Sequence, residues 1–353
     1  MPLTGQERIA RILKRQSVDR IGLYEHFWSD TQKAWGIATD IEEKMGFDII
    51  EYWPFTMTAD LDFVKVTIAE DEDTITQKDG NYALLRKHKK HDATPEHIGF
   101  DIDSKEKWEE KIKPMLTASD RRINFERYRI KKQYAKDRNM FFVWSGVNVF
   151  ELMHPLTGHV NFLMAMIDDP EWVEDMCMTY AKLTVELQQI LFEKEGYPDG
   201  IWYYEDMGFK NAPFISNAMY DRFLYPAHKL TIDYAKSCNL PVIMHSCGFV
   251  EPLIPGMLKS GIDCLQVIEI KAGMDLLRIH KKYKDRLSLM GGIDVRTLYS
   301  NDKTVIDKEL ESKIPFVKEG FGYVLHSDHS IPNTVNLNTY EYFIHKGLKL
   351  GKY

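Results

Sequence analysis

The chain has 353 residues, 44% hydrophobic and 28% charged, a balance suited to a soluble globular fold with a sizeable core. A formal net charge of −7 gives nucleic acid no electrostatic footing on the chain as a whole. No run of about 18 uncharged apolar residues occurs, so no membrane partner is expected; the opening MPLTGQERIARILKRQ lacks the apolar core of a signal peptide, and a cytoplasmic location is expected.

Short apolar runs rich in β-branched and aromatic residues recur along the chain. The first are residues 21–27 (IGLYEHF) and 48–52 (DIIEY). From about 61 to 130 the pattern changes. Residues 64–75 and 82–87 suggest antiparallel strands or a hairpin with Asp79-Gly80 as the turn, a β-rich insertion after an early strand. The cationic stretch 87–91 (KHKKH) beside it reads as a solvated surface loop. Strand-like runs return at 140–144 (MFFVW) and 200–204 (GIWYY). Residues 218–237 have helical spacing, with Ser216 as N-cap and Pro226 as a kink or split. Strand 241–245 (PVIMH), helix 251–260, strand 264–268 (CLQVI) and helix 274–283 follow, then strands 287–290 (LSLM) and 322–326 (GYVLH). Strand-helix alternation implies parallel pairing with right-handed crossovers. About eight such units make a closed (β/α)8 TIM barrel, a single domain over 1–353 with the insertion included.

In such a barrel the chemistry gathers at the C-terminal ends of the strands. Those ends are polar here: Glu25 and His26, Glu205 and Asp206, His245 to Cys247, Glu269, then Gly291, Gly292 and Asp294, and finally His326 to His329. One strand-end acid alone is explained by a cap or a backbone amide. Their coincidence on one mouth is more informative. In PVIMHSCGFV, His245 and Cys247 stand two apart on an extended segment and point the same way. An imidazole nitrogen and a thiolate so placed reach one zinc ion, with bonds of about 2.0–2.3 Å. Gly248 permits a sharp turn immediately after. A catalytic zinc needs a third protein ligand and an open position; His329, Asp328, Glu269, Glu205 and Glu25 are the candidates. The competing reading makes Cys247 a small buried hydrophobe and His245 a hydrogen-bonded strand end; the second cluster at His326–His329 tilts the balance toward metal. Cys177, Cys238 and Cys264 read as reduced packing residues, with Cys264 a ligand only if it turns into the mouth. Trp28, Tyr52, Trp53, Trp202 and Tyr203 serve either a pocket or the core, and His26 either stacks or touches substrate.

The run PVIMHSCGFVEPLIPGMLKSGIDCLQVIEIKAGMD, then LSLMGGIDVRTL and GYVLHSDHSIPNTV, resembles the uroporphyrinogen decarboxylase superfamily in order and spacing. Within it, the chain is similar to the branch of cobamide-dependent methyltransferases. The resemblance covers most of the chain from about residue 140 onward. It implies a (β/α)8 barrel and a catalytic zinc held by H-x-C on one strand end and a cysteine near the last strand. His245 and Cys247 match the pair; the late cysteine position falls on His329, so an imidazole, or Asp328, replaces a thiolate. Two nitrogens and one sulfur remain sound zinc chemistry, though less electron-rich. The decarboxylases themselves carry an N-terminal arginine-rich signature for a polycarboxylate. Here 21–28 reads IGLYEHFW, and a pocket edged by Glu25, Glu205, Asp206 and Glu269 would repel such a substrate.

The resemblance therefore implies a zinc-dependent methyltransferase of a corrinoid-linked system. Zinc would sit on His245, Cys247 and His329. Glu205, Asp206, Glu269 and Asp328 would orient substrate or support the metal-bound histidines, and Gly291, Gly292 and Asp294 would border the cofactor. The co-substrate would be methylcobalamin or a protein-bound corrinoid. A small methyl donor or thiol acceptor would be the substrate, and a separate corrinoid protein would dock over the mouth, since the chain is too short to add such a domain to the barrel. A homodimer is left open. Three rival readings stand: a lyase acting on a smaller acid, a non-catalytic binding subunit on a barrel scaffold, and cobalamin-independent methyl transfer to a thiol.

Overall fold

In the computed structural model, which describes residues 2–37, 39–90 and 94–353, the chain opens with strands β1 (Gly22–Leu23) and β2 (Ile49–Tyr52). Four antiparallel strands follow: β3 (Val66–Glu70), β4 (Thr74–Lys78), β5 (Ala83–His88) and β6 (Glu96–Phe100). Then come β7 (Phe141–Val147), β8 (Gly200–Tyr204), β9 (Val242–Ser246), β10 (Cys264–Val267), β11 (Ser288–Gly291) and β12 (Tyr323–Leu325). The parallel strands form one eight-stranded sheet in the order β1-β12-β11-β10-β9-β8-β7-β2, with helices on the crossovers. This is the TIM barrel that the alternation predicts. Strands β10 and β11 are buried on both faces, as a barrel covered by helices requires.

The barrel closes through a side chain. Asp48, just before β2, donates its N–H to the Leu23 carbonyl at 2.9 Å, and its carboxylate accepts the Leu23 N–H at 2.9 Å. Arg8 and Arg20 grip that carboxylate at 2.6 and 2.7 Å. The predicted strand 21–27 shrinks to Gly22–Leu23 because Glu25 takes the N–H groups of His26 and Ser327, which a longer ladder would use. The four-stranded sheet β3–β6 has its β4–β5 turn at Asp79, whose carboxylate accepts the N–H of Asn81 and of Ala83, both at 3.0 Å. A second turn interrupts the predicted strand 64–75. There the Asp71 carboxylate accepts the N–H of Asp73 and Thr74, a local bond that competes with the strand ladder. In the stretch 87–91, Lys89 and Lys90 pair with Glu70 and Asp73, while His91 lies outside the described residues. Ser216 caps its helix, accepting the Met219 N–H at 3.2 Å. That helix splits as predicted near Pro226: a π-helical turn over Tyr220–Leu224 precedes Tyr225–Ser237. Proline has no N–H to continue a regular ladder, so the wider turn absorbs the mismatch. Among the described residues no helix is long and apolar enough to cross a membrane.

Asp48→Ala would strip Arg20 of its counter-charge, leave Arg8 with Asp19 alone, and unlatch Leu23. The expected cost is about 3–5 kcal/mol, read as a lowered urea midpoint. Asp62→Ala, which breaks an exposed pair with Arg121, should leave the midpoint unchanged.

Candidate metal centre

Strand β9 carries His245 and delivers Cys247 to the C-terminal rim. His245 Nε2 lies 3.3 Å from Cys247 Sγ and 3.1 Å from Asp206 Oδ1. Tetrahedral zinc with bonds of about 2.0–2.3 Å sets its donor atoms roughly 3.3–3.6 Å apart, so these separations approach the edges such an ion needs. Asp206, His245 and Cys247 are the one group of this kind whose ligand atoms gather closely among the described residues. One nitrogen, one sulfur and one oxygen suit zinc. The Asp206 side chain is 40% exposed and that of His245 12%, so the group opens to the mouth. Burial opposes charge on His245, but the neighbouring sulfur and the Asp206 carboxylate outweigh it and hold its pKa well above the usual imidazole value. Burial pushes the Cys247 thiol up, against the pull of His245.

A hydrogen-bonded line fixes the ring. His245 Nδ1–H donates to Gln266 Oε1, across the β9–β10 register. The Gln266 amide donates to His326 Nε2 at 3.2 Å, and His326 Nδ1–H donates to the Ser327 carbonyl at 2.5 Å. Each assignment follows from the partner, because a carbonyl only accepts and an amide nitrogen only donates. His245 therefore turns Nε2 toward Cys247 and Asp206. Burial, then the His26 ring, hold the His326 pKa well below the usual imidazole value. His26 Nδ1 lies 3.2 Å from His326 Nε2, and its Nε2 meets Glu51 at 2.9 Å. The hydroxyls of Tyr24 and Tyr204 also donate to Glu51, each at 2.9 Å.

The expected third ligand, His329, stands outside the metal group, and Asp206, expected to orient substrate, stands inside it. The Ser327 hydroxyl donates to the His329 carbonyl at 2.5 Å and folds that segment back, while the His329 ring lies 6.2 Å from Trp28. The other strand-end acids turn onto backbone amides. Glu205, fully buried, accepts the N–H of Phe150 and Glu151 at 2.8 and 3.0 Å and meets His228 at 2.5 Å. Glu269 accepts the Gly248 N–H at 2.6 Å. Asp328 accepts those of Ile270 and Val295, each at 2.8 Å. Where cofactor contact was expected, Gly291 serves the backbone: at φ +106° a Cβ would lie 2.0 Å from the Val267 carbonyl oxygen. Gly292 donates its N–H to that carbonyl at 3.0 Å, and Asp294 pairs with Arg296 at 2.6 Å. Cys264 and Cys177 are buried in the hydrophobic core, and Cys238 packs against it half-buried.

Gln266, Glu51 and Glu151 are site residues that sequence reasoning missed. Glu151 accepts the Asp206 N–H at 3.3 Å and sits 3.2 Å from His154 Nε2. The signal for two of them was a polar residue inside an apolar strand, Gln266 in CLQVI and Glu51 in IIEY.

A sequence profile described as "Uroporphyrinogen decarboxylase (URO-D)" matches residues 142–346. No curated protein matches the chain. Among solved structures, a "methyltransferase from Methanosarcina mazei" is similar at TM-score 0.69 and 16% identity, over 98% of each chain. That degree of likeness speaks for the fold. A Xaa-Pro dipeptidase with bound methionine aligns at TM-score 0.28 and 11% identity, over 60% of this chain and 62% of that one, too little to compare further.

Both His245 and Cys247 must lose protons to bind zinc, and both pKa values are raised. Zinc affinity is therefore expected to fall as pH drops from about 9 to about 6, which a chelator competition titration measures. Gln266→Met removes the acceptor for His245 Nδ1–H and should weaken zinc binding about 10–100-fold. Gln266→Glu keeps an acceptor there and should bind more nearly as the parent does, by the same titration.

Proposed function

Because the chain belongs to the uroporphyrinogen decarboxylase family, we propose that it turns that family's barrel to zinc-dependent methyl transfer, between a corrinoid, free or carried by a separate protein, and a small thiol or methylated substrate. One observation carries this reading: the nitrogen, sulfur and oxygen of His245, Cys247 and Asp206 converge at a solvent-facing strand end. Zinc held there would supply Lewis acidity to a substrate thiol or to the heteroatom of a methylated substrate. The methyltransferase name of the structural neighbour supports the reaction class. The resemblance of the H-x-C stretch to cobamide-dependent methyltransferases supports the corrinoid.

The chain's own part is chiefly orientation. Gln266 holds one face of His245, and the Tyr204 ring, 4.8 Å from it, limits rotation. Asp206 and Glu269 bind the N–H groups of Cys247 and Gly248, so the sulfur is set before substrate arrives. Methyl transfer is a displacement, and alignment of donor and acceptor is a large part of its barrier. The acids Glu51 and Glu151 beside the group weigh against a polycarboxylate and hence against porphyrinogen decarboxylation.

The test measures zinc per chain in purified protein, then demethylation of methylcobalamin with a panel of thiols. The expected outcome is bound zinc and turnover, both lost in His245→Ala and in Cys247→Ala. Carbon dioxide release from a small acid by metal-free protein would replace this reading with a lyase.

A further inference from the structure

Between the barrel mouth and the inserted sheet lies a half-open cavity of about 410 Å³. Trp53, Val147, Leu152 and Tyr180 form one apolar side, and Thr56, Thr58, Asn81 and Glu151 supply polar groups on the rest. Its inner end is one residue from the metal group. Trp53 stacks on Tyr204 at 5.8 Å, and the Tyr204 ring lies tilted 4.8 Å from His245. Val147 pairs with Tyr204 across β7 and β8, and Glu151 accepts the Asp206 N–H.

The outer wall is the loop 56–58, and Arg122 shapes it from beneath. The Arg122 side chain donates to the carbonyls of Thr117, Thr56, Thr58, Ala59 and Met115 at 2.7–3.0 Å. A guanidinium has five N–H donors, so this buried cation keeps none for a ligand. Among the described residues no lysine or arginine lines the cavity. The Glu151 carboxylate stands at its inner end, where it accepts the Asp206 N–H.

We infer that this cavity holds the non-reacting body of the substrate, and that this body is neutral, at least the size of one aromatic ring, and carries an apolar face. The inference rests on the methyl-transfer reading in one respect: the reacting sulfur or oxygen would lie at Asp206, His245 and Cys247. The volume falls within the range of about 300–1,000 Å³ usual for small-molecule sites. An anionic tail would meet the Glu151 carboxylate and no lysine or arginine in the lining. An apolar ring gains by leaving water against Trp53, Val147 and Leu152. The insertion then acts as a specificity element, since Asn81 comes from its β4–β5 turn.

The test compares benzyl mercaptan with 3-mercaptopropionate by titration calorimetry on the zinc-loaded protein. Both carry the same thiol, so the difference reports the cavity. Benzyl mercaptan is expected to bind at least about 10-fold more tightly. Leu152→Trp, which fills the cavity, should abolish the preference with zinc content unchanged, and Val147→Phe serves as the second variant if Leu152→Trp does not fold. Benzyl alcohol, which has no sulfur, should show saturation-transfer NMR contacts with zinc-loaded and zinc-stripped protein alike, and lose them in the filled variant. Equal or reversed thiol preference, a preference that survives filling, or absent benzyl alcohol contacts would overturn the inference. Benzyl alcohol binding in a protein that takes up no zinc would preserve the cavity and sink the methyl-transfer reading instead.

Discussion

The barrel mouth is held by one repeated interaction, a strand-end carboxylate accepting backbone N–H groups from another stave. Glu25, after β1, holds Ser327 after β12. Asp328 holds Val295 and Ile270, after β11 and β10. Glu269 holds Gly248, and Asp206 holds Cys247, both after β9. Glu205 holds Phe150 and Glu151, after β7. Such charge-assisted bonds are short and stronger than neutral ones, and strand-end loops otherwise leave their amides unpaired. On the opposite face Asp48 does the same for Leu23 and closes the seam.

The candidate metal group is a by-product of this stitching as much as of its own three side chains. Gly248 sits at φ +79° with the Gly208 backbone so close that a Cβ would meet it at 2.2 Å. Two loops can cross there only because both residues are glycine. With Cys247 pinned on one side by Asp206 and Gly248 on the other by Glu269, the sulfur has little freedom. His245 gains its orientation independently, from Gln266 on the next strand. Polar networks of this kind are costly to leave half-satisfied and rigid when complete.

Much of the fold was legible because its signals are local. Apolar runs bounded by helical spacing mark strands and crossovers, and Asp79 followed by Gly80 marks a turn whatever surrounds it. The H-x-C spacing was legible for the same reason, since period-2 geometry puts His245 and Cys247 on one side of a strand. The strand at 64–75 was misread because Asp71 makes its own turn. The backbone contacts of Glu205, Glu269 and Asp328 were not legible because a strand-end carboxylate looks the same in sequence whether it faces a cavity or a backbone amide.

What the chain's local rules establish is the barrel, the insertion and the histidine-cysteine pair. The third member of the candidate metal group, Asp206, arises from contacts between residues some forty positions apart, Asp206 with His245 and Cys247. Gln266, Glu51 and the cavity beside Trp53 belong to the same class. Each depends on which stave stands next to which, and on small backbone rotations that turn one carboxylate inward and another onto an amide. Such choices are settled by the summed hydrogen bonding and packing of the closed barrel, and no short stretch of sequence carries that sum.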